Sequence, residues 1–204
     1  TEEQRAENNR RFAYEDSVRQ AYMDSAFCRP AEGGDAGFLQ NARANHPTIS
    51  AFLKAHPTES ARRMLQTLRS KDFRDVTAEV LEDHFCNTAV SEGEFDTWTR
   101  NIVGLRIANE MLTPWRARLA AAFKGMDVKA LIQWTRDSIR IDETRNPQHL
   151  CMSPLGVFSH RVTDSHSRNI FFVAALRSLG VPARVDEVTG KVQWAEGTRE
   201  QWNW

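Results

Sequence analysis

DSHSRNIFFVAALRSLGVPAR, residues 164–184, is the stretch on which the fold turns. Its middle, residues 170–176, is an unbroken apolar run, and a helix apolar on nearly every side belongs at the centre of a core. Thr163-Asp164 opens that helix. Gly180 suits the left-handed position just past a helix end, and Pro182 prevents the helix from resuming. Beyond it, residues 181–188 and 191–194 read as two strands joined at Thr189-Gly190, a hairpin signal. The expected unit is a central buried helix running into a short antiparallel ribbon.

Upstream of this unit, residues 1 to about 140 read as helices. Residues 2–27 carry Phe12, Tyr14, Val18, Ala21, Tyr22 and Ala26, spacings that suit an amphipathic helix. Short helices follow over 36–44, after Pro47 with Ile49, Phe52 and Leu53 inward, and over 59–68 behind a Thr58 cap. Residues 76–85 and 98–112 are expected as two more, the second entered through 91–96. Thr113-Pro114 combines a capping hydroxyl with a first-turn proline, Gly125 ends the helix it opens, and Asp127 caps the next. Residues 142–163 hold Pro147, Pro154 and Gly156 without a sustained period, and so read as a long ordered loop. Together these features predict an α+β, mostly helical chain: a helical N-terminal region over 1–140 and a core over 141–204, incomplete at its C-terminal end.

The chain has 204 residues, 41% hydrophobic and 26% charged, an ordinary globular composition. Lys plus Arg and Asp plus Glu both number 27, so there is no net charge. That balance argues against nucleic acid as a partner, since non-specific affinity needs clustered positive charge. No apolar run approaches the roughly 20 residues that span a bilayer. Thr1 opens a polar stretch with no visible signal peptide; a non-Met start marks a processed N-terminus or the edge of a longer protein. Cys28, Cys86 and Cys151 are too scattered for a disulfide framework and are expected as buried free thiols.

The segment 164–184 resembles the core of the transglutaminase-like superfamily, whose fold is related to the papain-like cysteine proteases. The tail from Leu176 to Arg184, LRSLGVPAR, carries the resemblance most closely. In that family a nucleophilic Cys opens the buried helix, where the positive end of the dipole favours thiolate. A His pairs with it and an Asp orients the His. The family spacing back from Arg177 lands on Ser165, and no His follows His166 in this sequence. A hydroxyl has a far higher pKa than a thiol near 8.5, so a helix terminus worth roughly 0.3–1 kcal/mol cannot make it an alkoxide.

The resemblance thus implies a catalytically defective domain whose cleft, at Asp164, Ser165 and His166, binds a peptide, protein or glycan. Arg168, His160, Cys151 and Trp194 are further cleft candidates; Trp194, Trp202 and Trp204 could stack a ligand or face inward from a sheet. His166 points about 100° away from its neighbour Ser165, a poor arrangement for a base. His149, Cys151, His160 and His166 lack the tight paired spacing of zinc sites, so no metal or other cofactor is expected. An alternative is an acyl-transfer hydrolase using Ser165 or Cys151 with a His lying beyond residue 204. Another is an interaction module that binds through its N-terminal helices. Bacterial members with this resemblance are often exported, which implies a cell-envelope or secreted location, with the signal segment outside this sequence.

Overall fold

A computed structural model describes residues 1–26, 34–88, 97–195 and 202–203, with side chains left undescribed at 22–26, 97–99 and 202–203. The helices in chain order are α1 (Glu2–Ala26), α2 (Ala36–Ala42), α3 (His46–Ala55), α4 (Glu59–Leu65), α5 (Ser70–Asp75), α6 (Ala78–Cys86) and α7 (Thr97–Val103). Then come α8 (Arg116–Ala122), α9 (Val128–Ser138), strand β1 (Arg140–Ile141), α10 (Pro154–His160), β2 (Val162–Thr163) and α11 (Ser165–Ser178). Strands β3 (Ala183–Val185), β4 (Val192–Ala195) and β5 (Trp202–Asn203) close the order. This is the mostly helical α+β chain that the sequence predicts.

The apolar run is the centre of the molecule. Ile170, Phe171, Val173, Ala174, Ala175 and Leu176 are all fully buried. Helix α11 packs against α7, α8, α9 and α10 and against β3 and β4, which together cover its apolar run. Asp164 caps its start by accepting from the Ser167 N–H, and Gly180 follows its end at φ +78°. Strand β3 pairs antiparallel with β4, Arg184 opposite Gln193, and β4 pairs with β5. A separate parallel pair joins β1 to β2, Arg140 opposite Val162.

Two apolar clusters form. One is built from α2 to α6 and includes Ile49, Phe52, Leu65, Phe73, Leu81 and Leu105. The other gathers Trp115, Leu119, Phe123, Leu131, Ile139 and Val157 around α11. Residues 115–139 therefore join the cluster of the central helix, while Trp115 at their start also meets His84 of α6 edge-on.

Several elements depart from the sequence reading. Helix α1 has Phe12, Tyr14 and Val18 exposed: their spacing winds round the helix and gives no single stripe to bury. The helix expected over 98–112 stops at Val103, because Gly104 lies against Arg177 and the Arg106 and Glu110 side chains organise the following loop. Thr113 does not cap α8. Asp83, from α6, instead accepts the Arg116 and Ala117 N–H groups at 2.7 and 3.1 Å. The loop expected over 142–163 contains α10, capped by Ser153 with proline in its first turn. Cys86 is exposed and Cys151 half-buried, both as free thiols, whereas Cys28, Trp204 and the 91–96 connection lie outside the described residues.

Candidate functional site

The start of α11 is fixed by a buried polar network. The Asp164 carboxylate accepts the Ser167 N–H at 2.8 Å, the Ser167 hydroxyl at 2.7 Å and the Asn146 amide at 2.9 Å. Burial opposes its charge, but these donors outweigh burial and hold Asp164 below the ordinary carboxylate range. The Ser167 hydroxyl in turn accepts the Met152 N–H at 3.0 Å. Asn146 clasps its own loop through the Leu150 backbone, donating to its carbonyl and accepting its N–H. The segment 146–152 is thereby held against the helix start.

Ser165, first in α11, is exposed. Its backbone N–H donates to Glu143 Oε1 at 3.0 Å, and among the described residues no imidazole reaches its hydroxyl. His166 is also exposed and its Nε2 is 3.0 Å from Asn109 Oδ1. The Cys151 thiol donates to the same oxygen at 2.8 Å. Burial, with the charges of Glu110 and Asp164, pushes the Cys151 pKa up, so the resting group is a thiol rather than thiolate.

The structure thus brings Asp164, Ser165, His166 and Cys151 to one end of α11. A cavity of about 240 Å³ opens beside them, lined in part by Asn146, Cys151, Thr163 and Asp164. His160 ends α10, exposed, outside this lining. Arg168 lies one turn along α11 and bonds the Asn169 amide oxygen at 3.3 Å. Trp194 is half-buried on β4, edge-on to Phe172 with centroids 6.2 Å apart. Among the described residues no group of three or more His, Cys, Asp or Glu could hold a metal ion. Asn109, Asn146 and Ser167 were missed in the sequence. Only Ser167 had a local signal, its place at the third position of a capped helix.

A buried central helix that feeds an antiparallel ribbon, with polar side chains gathered at its start, is the frame of a transglutaminase-like core. Residues 118–202 match the family model of the transglutaminase-like superfamily, and that stretch is a domain of this class. No curated protein and no solved structure gives a significant match to the chain. Helices α1 to α7 precede the matched stretch.

Proposed function

We propose that this transglutaminase-like domain is catalytically defective in this form and that the cleft at the start of α11 binds a peptide or glycan. One observation carries the reading. The Cys151 thiol and the His166 imidazole, the two side chains that would have to pair for thiol chemistry, are both engaged by Asn109 Oδ1. Among the described residues the Ser165 hydroxyl has no base bonded to it, and an unassisted hydroxyl is a poor nucleophile. The Asp164 carboxylate is engaged by Ser167 and Asn146 and orients no imidazole. In an assay with p-nitrophenyl acetate and a glutamine-containing peptide, wild type and Ser165→Ala should give the same background rate. Turnover that disappears with Ser165→Ala overturns the reading.

One observation favours the rival, an acyl-transfer hydrolase using Cys151 or Ser165 with a His beyond residue 204: thiol and imidazole already meet at a single amide oxygen. The two readings separate by labelling. The raised Cys151 pKa predicts slow alkylation by iodoacetamide at pH 7, accelerating as pH rises past the ordinary thiol range. Rapid labelling of Cys151 near pH 6, or fluorophosphonate capture of Ser165, supports the enzyme instead.

A further inference from the structure

Ser165, Arg168, Asn169 and Phe172 stand at i, i+3, i+4 and i+7 along α11 and so share one face of the helix. Beside that face lies a second cavity, of about 340 Å³, walled by α9, α11 and the start of β4. Among the described residues its charged lining is Arg136, Arg168 and Lys191, with no carboxylate beside them. Arg136 and Lys191 form no ion pair among the described residues, and Arg168 bonds only the neutral Asn169. In a chain of 27 basic and 27 acidic residues, this is a local excess with no counter-charge in the described lining.

The excess is organised. Asn169 accepts from Arg168 and donates through Nδ2 to the Gly190 carbonyl at 3.1 Å, pinning to α11 the turn that bears Lys191. The rest of the described wall is Thr135 and the apolar Ile132, Val192 and Phe172, the last braced edge-on by Trp194. Converging cations in a concave, partly apolar site focus potential on an anion and select one that carries an apolar body. Arginine forks in particular match a carboxylate.

We propose that this pocket takes the C-terminal carboxylate of a peptide ending in an apolar residue, with the peptide running along α11 toward Ser165. The proposal rests on the reading of the start of α11 as a ligand cleft, extends it along the helix to this second cavity and names what occupies both. The three residues from Ser165 to Arg168 correspond to a rise of about 4.5 Å, so a tripeptide can touch both. A neutral glycan would leave the three cations unpaired.

The test is amide NMR titration of the full chain with acetyl-Ala-Ala-Phe, its C-terminal amide, glucuronate and inorganic phosphate. The acid peptide should shift Arg168, Asn169 and Lys191, bind at least about tenfold more tightly than the amide, and weaken as salt rises from about 0.05 to 0.5 M. Arg136→Ala and Lys191→Ala, both at exposed positions, should each lose about tenfold in affinity. Equal binding of acid and amide overturns the proposal, as does failure of the acid peptide to bind at about 10 mM. Phosphate or glucuronate binding as tightly as the peptide also overturns it, leaving a bare oxyanion site. Shifts confined to Ser165 and His166 overturn the pocket but spare the function reading. Cleavage of the bound peptide, seen by mass spectrometry, does the reverse.

Discussion

Asp164 carries more of the site than any other side chain, because one carboxylate caps α11, holds Ser167 and anchors Asn146. Asp164→Ala removes the cap and strands the buried Ser167 hydroxyl, for an expected loss of about 1–3 kcal/mol. A lower urea midpoint with an unchanged slope would register it; no change would mean the network adds nothing. His84 makes a different prediction. It is fully buried, its Nε2 3.2 Å from the Thr113 carbonyl and its Nδ1 3.4 Å from Arg116 Nε. Burial, then the nearby Arg116 charge, keeps its pKa well below the usual 6.5. The unfolded chain therefore takes up a proton first on acidification, and stability falls below about pH 6.5 by up to about 1.4 kcal/mol per pH unit. His84→Gln should flatten that slope in denaturation curves between about pH 6.5 and 5. Carboxylates held low, such as Asp164, contribute their loss only at more acid pH.

Helices α1 and α11 are opposites that the sequence distinguishes well in one case and poorly in the other. The run 170–176 has no polar side to leave in water, and burial is the only outcome. Phe171→Ala should cost about 3–5 kcal/mol in urea unfolding, since Phe171 is wholly buried beside Phe123 and Phe158. In α1, Phe12 is 65% exposed, and Phe12→Ala should stay within about 0.5 kcal/mol. The apolar letters there resemble a buried stripe only when read loosely. Around Gly104 the opposite error arises: residues 98–112 have helical composition, yet an added Cβ at Gly104 would sit 2.9 Å from the Arg100 carbonyl and 3.0 Å from Arg177. Such a close approach is a demand of packing that no window of sequence displays.

The two apolar clusters are joined by buried charge rather than by apolar contact alone. Arg177, at the end of α11, donates to the carbonyls of Ala183, Gly104 and Arg106. Arg116 donates to the Arg177 and Ile102 carbonyls. Burial lowers Arg177 to about 10, and burial together with the Arg177 charge lowers Arg116 to about 9, so both stay cationic at neutral pH. On the other side, Asp72 grips Arg106 through both carboxylate oxygens. Arg177→Ala strips three carbonyls of their donor at once and should cost about 3–5 kcal/mol. With the bridge intact, tryptophan fluorescence and far-UV circular dichroism should report one coincident unfolding transition. Separate transitions in wild type would mean that the clusters do not act together.

The central helix, the caps at Thr58, Asp127 and Asp164, the turn past Gly180 and the hairpin were legible in the sequence by itself. Each depends on residues within a turn or two of one another, where period, capping chemistry and backbone preference leave a local mark. The sequence also carried the resemblance that marks out the class of domain. Only the tertiary structure decided that Asp83 caps α8, that Asn109 sits between Cys151 and His166, and that Arg136, Arg168 and Lys191 face one cavity. These are partnerships across long stretches of chain, made by side chains whose spacing follows no repeat. Packing alone brings them together, because buried polar groups must find partners wherever the fold has placed them.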